Sequence, residues 1–232
     1  MGILDNLLNK AAYTAKNAVA NGVKSGVNAA VNGAKTANSE NVQAANAVGA
    51  NIGGSGVTMT AGKTSQGYAS VTITFDALPK NLAELLATPL ADLQTPYGTA
   101  ALTVAALNQY EADKTATHEM VNFLRGPRPM SAYEEQFIRD RLAGKMYVIR
   151  SYWAGTSPQN NYTPTLPYSV TFFEDPYSYQ NEGYCRLNSR SSGADSPRQI
   201  TLRKKESTGE WFLWENYLLP DIRIPAEADP WA

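Results

Sequence analysis

The chain has 232 residues, which is enough for one domain with a sizeable core and an appendage. Its 20 basic and 21 acidic residues leave it nearly neutral, and no apolar run approaches the roughly 20 residues that span a bilayer. One cysteine and one histidine exclude an internal disulfide and a zinc site built from three or four Cys/His ligands.

Charge and aromatic residues are unevenly distributed along the chain. Residues 1–66 hold five lysines against Asp5 and Glu40, so they carry +3 and the remainder carries −4. Tyr13 is the only aromatic residue before residue 67, and the other 22 follow it. Because aromatic side chains supply much of the apolar area in a core, we expect one α+β domain over residues 67–232.

Residues 1–35 have the pattern of an amphipathic helix. Asn17–Lys24 and Asn28–Lys35 are related by an 11-residue repeat, a period that keeps one stripe on one side of a helix. Apolar residues recur every three or four positions, at Leu4, Leu8, Ala11, Ala15, Val19, Val23, Val27 and Val31. Three roles remain open for this segment: a weakly helical tail, self-association, or contact with a membrane surface.

Residues 36–66 are rich in Asn, Ser, Gly and Thr, which predicts a flexible linker. Val57–Thr60 is a candidate start of a first strand within it. The alternation in Tyr68–Phe75 predicts a half-buried strand. Helical spacing then continues as far as Leu124, and Ser131 with Glu134 forms a capping box that begins a further helix.

Short β-like runs follow the helices, separated by Pro, Gly, Asn and Ser. Helices followed by strands, without βαβ alternation, predict an α+β fold with helices packed on one face of an antiparallel sheet of four to six strands. The segment 218–232 contains three prolines, and we expect it to run extended along the surface. The predicted strands are Met146–Trp153, Tyr168–Phe173, Tyr184–Asn188, Gln199–Lys205 and Trp211–Asn216.

The residues that could carry chemistry form no recognisable catalytic pattern. His118 and Cys185 lack an identifiable third group to orient them as a nucleophilic pair. Glu174 and Asp175 could bind a hard cation, although adjacent carboxylates are more often a solvated strand end. We expect no cofactor and no metal, and we leave the catalytic residues unassigned.

The loop 189–198 is the most suggestive segment. Arg190 and Arg198 could bind a carboxylate or phosphate, and the alternative is a structural loop in which Asp195 pairs with one of these arginines. Both sides of the run Trp211–Trp214 are apolar, so this strand is either covered on two faces or meets a partner. The candidate ligand or partner contacts are Arg190, Asp195, Arg198 and Trp211.

These observations favour a non-catalytic binding or protein-interaction module, tethered or oligomerised through its N-terminal helix. The alternative is a hydrolase or small-anion-binding enzyme, with a site built from dispersed carboxylates and the 189–198 loop. Arg186 and the basic residues 203–205, with Tyr184 and Trp211 as stacking surfaces, suggest nucleic-acid binding, but the charge of −4 and the missing nucleic-acid motifs argue against it.

Four motifs stand out in the C-terminal part: Gly126-Pro-Arg-Pro-Met-Ser131, Asn160-Asn-Tyr-Thr-Pro164, Ser191–Arg198 and Trp211–Arg223. Together they resemble an uncharacterised bacterial domain family, over about residues 67–232. The resemblance implies a bacterial, cytoplasmic protein and assigns no functional residue. The lone cysteine and the absence of a secretory signal also predict a cytoplasmic location.

Overall fold

The computed structural model describes residues 56–231. The predicted N-terminal helix of residues 1–35, and the part of the predicted linker before residue 56, lie outside the described residues. The described part of the chain contains six strands: β1 Val57–Lys63, β2 Ala69–Phe75, β3 Tyr168–Phe173, β4 Tyr184–Ser189, β5 Arg198–Lys205 and β6 Glu210–Asn216. Five α-helices lie between β2 and β3: α1 Leu82–Leu86, α2 Pro96–Asn108, α3 Lys114–Arg125, α4 Ala132–Leu142 and α5 Tyr147–Arg150.

The strands form one antiparallel sheet in the order β1-β2-β3-β4-β5-β6. This arrangement confirms the predicted α+β class and the predicted antiparallel sheet. Its six strands are the largest number in the predicted range of four to six. None of the helices within residues 56–231 is long and apolar enough to cross a membrane.

Helix α2 forms the centre of the core. Every residue from Pro96 to Leu107 is buried, so this helix has no solvent-facing side. It contacts strands β2 to β6 and helix α3. Small residues such as Ala100 and Ala101 allow close approach on all sides, while the hydroxyl of Thr103 donates to the carbonyl of Thr99 at 2.8 Å.

The inner face of the sheet packs against this helix. On β2, Val71, Ile73 and Phe75 are buried while the intervening threonines point outward, as the alternating pattern predicts. The same inner face continues across the other strands through Val170, Phe172, Cys185, Leu187, Ile200, Leu202 and Leu213.

Strand β1 lies within residues 36–66, which were predicted to form a flexible linker. Residues 57–63 pair with β2 along their whole length, from Val57 opposite Phe75 to Lys63 opposite Ala69. The prediction of a flexible linker is therefore wrong over this range, and the sheet begins about ten residues before the expected boundary at 67. Only Val57 is buried in this strand. The other residues are mostly small or polar, and for this reason the sequence resembles that of a linker.

Two other predicted elements differ from the structure. Residues 146–153 are not a strand, because they form α5 and the turns around it. Six residues of this range are buried, and four of them, Val148, Ile149, Tyr152 and Trp153, have the spacing of one face of a helical turn. The other two are Met146 and Ser151. The segment after β6 does not simply lie on the surface, since Leu218 and Leu219 are fully buried.

The β6 edge of the sheet is bonded at Trp211 to the segment that contains Leu93 and Thr99. The backbone N–H of Trp211 donates to the carbonyl of Leu93 at 2.7 Å, and the hydroxyl of Thr99 donates to the carbonyl of Trp211 at 2.8 Å. These bonds occupy backbone groups that would otherwise be free at a sheet edge.

Substitution of Gly126 tests how the loop after α3 packs on the sheet. Gly126 has φ +61°, and an added Cβ would lie 2.4 Å from the ring of Phe212. We expect Gly126→Ala to lower the free energy of unfolding by about 3 kcal/mol, from the left-handed backbone and overpacking together. Urea denaturation measures this loss.

Gly144→Ala is the matched control. Gly144 has φ +67°, but an added Cβ would meet nothing within 4 Å, so only the backbone cost of about 1 kcal/mol is expected. Equal losses in the two variants would contradict the proposed contact between Gly126 and Phe212.

Candidate binding face on the outer side of the sheet

Four arginines lie over aromatic rings on the outer side of β3 to β6 and its adjoining loops. Cross-strand register aligns Tyr184 with Arg203, and Arg203 with Phe212, on the face opposite the buried Cys185 and Leu202. We call these four arginines and the aromatic rings that they contact the arginine–aromatic band. Its guanidinium-to-ring distances are 4.3 Å for Arg128–Trp214, 4.7 Å for Arg203–Trp214, 5.4 Å for Arg203–Tyr184, 5.7 Å for Arg190–Phe173 and 5.8 Å for Arg186–Tyr177.

Trp214 is the centre of the band. A register shift at Thr201/Leu202 leaves Trp214 without a directly paired residue on β5, and bulges of this kind re-aim side chains. Its ring is approached by the guanidinium groups of Arg128 and Arg203 and meets the ring of Tyr184 edge-on at 5.8 Å. Each cation–π contact at an exposed site contributes about 0.5–1 kcal/mol.

The loop after α3 supplies Arg128 to this face. Gly126 lies against Phe212, and Arg128 donates to the carboxylate of Glu134 at 3.0 Å. The same carboxylate accepts from the buried Arg125 at 2.7 Å. A buried charge needs such a partner, so this ion pair holds the loop in place.

The arginines of the band differ in their ion pairing. Arg128 pairs with Glu134 and Arg186 with Asp175. Within residues 56–231, Arg190 and Arg203 form no ion pair, and both are exposed. Their N–H donors are therefore available to an anionic group from outside.

Asp175 lies beside the band and binds one of its arginines. It accepts from Arg186 at 3.2 Å and from Asn188 at 3.0 Å, and the backbone N–H of Tyr177 donates to it at 2.8 Å. Burial alone would raise the pKa of the Asp175 carboxyl. Hydrogen bonds from Asn188, Tyr177 and Arg186 outweigh that effect and hold its pKa below the usual value.

The neighbouring Glu174 belongs to a different cluster. Its carboxylate accepts from the hydroxyl of Tyr97 at 2.6 Å and from that of Tyr179 at 3.1 Å. The two adjacent carboxylates thus bind separate partners. Among the described residues there is no group of three or more His, Cys, Asp or Glu side chains that could hold a metal ion.

Cys185 is fully buried on the inner face of β4. Burial raises the pKa of its thiol to about 12, so the thiolate that acts as a nucleophile is scarce at neutral pH. His118 lies on α3, and its ring centre is 6.2 Å from that of Tyr110.

The loop 189–198 fastens the segment that follows β6. Arg198 donates to the carbonyls of Pro220 at 3.1 Å and Asp221 at 3.0 Å. Asp195 forms an ion pair with Arg223, which corrects the expectation that it pairs with Arg190 or Arg198. The loop therefore holds residues 220–223 in place through these hydrogen bonds and this ion pair.

The predicted contact residues have different surroundings. Asp195 and Arg198 bind the segment after β6, and Arg190 belongs to the arginine–aromatic band. Trp211 is tied to the helical layer by its backbone, and Lys204 lies 6.0 Å from its ring centre. Sequence reasoning missed Arg128, Phe173 and Tyr177 as members of the band.

The family model called Domain of unknown function (DUF6935) matches residues 77–226. The chain belongs to this family. Comparison with curated proteins and with solved structures found no match. The matched residues of the DUF6935 domain include all the arginines of the band, whereas β1 and β2 precede the matched range.

The reactivity of Cys185 tests its burial. We expect native protein at pH 8 to react with a thiol-specific disulfide reagent at least about 100-fold more slowly than the unfolded chain, because the thiol is protonated and inaccessible. Absorbance of the released thiolate measures both rates. Rapid reaction of the native thiol would contradict this placement.

The pKa of Asp175 predicts an acid sensitivity. Because its pKa is lowered in the folded state, its stabilising contribution is complete above the unfolded value of about 3.9 and is lost as pH falls further. Asp175→Asn should lower the free energy of unfolding by about 2 kcal/mol at pH 7 and reduce its decline below pH 4. Urea titrations from pH 2.5 to 7 measure both effects.

Asp195→Asn is the control for this titration. Its ion pair with Arg223 is largely exposed, at 87% and 54% of the side-chain areas, so a change of at most about 0.5 kcal/mol is expected. Parallel pH curves for the wild type and Asp175→Asn would refute the role given to Asp175.

Proposed function

We propose that the DUF6935 domain is a non-catalytic binding module whose arginine–aromatic band takes an acidic segment of a protein partner. The observation that carries the proposal is the pair Arg190 and Arg203. Both are exposed, both lie over aromatic rings, and neither has an ion pair within residues 56–231.

The geometry of these arginines suits carboxylates. Stacking on an aromatic ring holds the planar guanidinium in one orientation, so less side-chain entropy is lost when its forked donors meet a carboxylate. The rings of Tyr177 and Trp214 are also accessible, at 58% exposure for Tyr177 and partly for Trp214, and can pack against apolar atoms of the same segment.

The choice of a protein segment over nucleic acid rests on charge. Residues 67–232 carry −4, which disfavours a long polyanion, whereas a short acidic segment needs only the local positive band. Two of the four arginines are already neutralised by Glu134 and Asp175, which further limits the number of phosphates that the face could bind.

The alternative is a hydrolase or small-anion-binding enzyme that uses the 189–198 loop. Against it, Arg198 and Asp195 are bound to the segment after β6, and Asp175 is bound to Arg186. Cys185 is buried and protonated. Because these side chains are already bonded within the domain or buried, a binding role is favoured over a catalytic one.

We further propose that residues 1–35 tether or oligomerise the module through their amphipathic pattern. The pattern also suits weak contact with an anionic membrane surface. A lone buried cysteine supports a cytoplasmic location, since reducing compartments favour unpaired thiols.

Fluorescence anisotropy with a labelled peptide tests the binding face. The probe is a fluorescein-labelled decapeptide of alternating glutamate and valine, compared with its lysine-for-glutamate counterpart and with labelled oligo-dT of equal charge. We expect the acidic peptide to bind, and Arg203→Gln to weaken it about tenfold or more through loss of a charged hydrogen bond.

Arg150→Gln provides the control, because Arg150 is an exposed arginine on α5. It should leave the affinity unchanged. Absence of binding, equal effects of the two substitutions, equal binding of the lysine peptide, or tighter binding of oligo-dT would each overturn the proposal.

A further inference from the structure

The free edge of β1 differs from the covered edge of β6. Leu93 and Thr99 occupy backbone groups of Trp211 on β6. Among residues 56–231, only β2 pairs with β1. Natural sheets usually protect such an edge with charge, proline or a bulge. β1 has no proline, its register with β2 is continuous, and its one charged residue is Lys63 at its end.

The hydrogen-bond pattern identifies the groups that face outward. Asp76 N–H donates to the carbonyl of Gly56 at 2.7 Å, and Thr64 N–H donates to the carbonyl of Tyr68 at 2.8 Å. Antiparallel pairs alternate between bonded and non-bonded positions, so the even-numbered residues of β1 bond to β2. The N–H and C=O groups of Val57, Met59, Ala61 and Lys63 therefore point away from the sheet.

We propose that this edge pairs with β1 of a second copy of the chain, in antiparallel orientation, so that two sheets join edge to edge. One register places Met59 of one copy opposite Ala61 of the other, and Val57 opposite Lys63. All the outward-facing groups of β1 are then bonded, and Thr60 lies opposite Thr60.

Side-chain chemistry is compatible with this pairing. The outer face of β1, β2 and β3 carries two aligned rows of hydroxyls, Thr58–Thr74–Ser169 and Thr60–Thr72–Thr171. Within the sheet such neighbours hydrogen-bond, as Thr72 and Thr171 do at 2.8 Å. The second copy would continue the second row through Thr60. Because Lys63 meets Val57, the two copies oppose no like charges.

Cysteine cross-linking tests the pairing and its register in the full chain. Non-bonded antiparallel partners have Cα atoms about 4.5 Å apart, within the range for a disulfide. Thr60→Cys should therefore give a covalent dimer in a glutathione redox buffer. Thr58→Cys is the matched control, because Thr58 lies opposite Gly62 in this register and should cross-link poorly. The natural thiol, Cys185, is buried and does not compete.

Sedimentation velocity tests the edge without a covalent bond. Wild-type protein should show concentration-dependent dimerisation up to 200 μM. Ala61→Pro removes an outward N–H in each copy without touching the bonds to β2, and should weaken dimerisation about tenfold or more, while Ala61→Thr should not. Monomeric wild-type protein, a dimer that survives Ala61→Pro, or equal cross-linking of the two cysteine variants would overturn the proposal.

Discussion

The complete burial of α2 is the constraint on which the rest of the domain depends. A helix with no polar side must be enclosed, and the sheet and the other helices provide the two halves of that enclosure. Its polar groups have internal partners, such as the bond from Thr99 to Trp211 that also closes the β6 edge. One helix thus lies at the centre of the core and also bonds to the β6 edge of the sheet through Thr99.

Because the inner face of the sheet packs against α2, its polar and charged side chains lie on the outer face. On β1 to β3 this face is neutral and rich in hydroxyls, whereas on β4 to β6 it is cationic and aromatic. The two halves suit different neighbours, because stacked guanidinium groups attract anions and an uncharged edge tolerates a copy of itself.

Local patterns predicted the elements well where a single period dominates. The alternation of Tyr68–Phe75 and the capping box at Ser131 both specify structures that form as expected. Prediction was incomplete where the sequence pattern is weak. Only the start of β1, Val57–Thr60, was indicated, because this strand has few apolar residues, and residues 146–153 form a helical turn in place of the predicted strand. The arginine–aromatic band joins residues such as Arg128 and Trp214, 86 positions apart, so no short motif could reveal it.

The helical insertion between β2 and β3 also governs how the chain reaches this fold. Thr74 and Ser169 bond to each other although 95 positions separate them along the chain. Closing so long a loop is entropically costly, and topologies with distant pairings fold slowly. Compaction of the helices around α2 shortens the effective distance between these strands. An isolated two-stranded hairpin is marginally stable, so the pairing of β3 with β2 contributes to the stability of the β1–β2 hairpin.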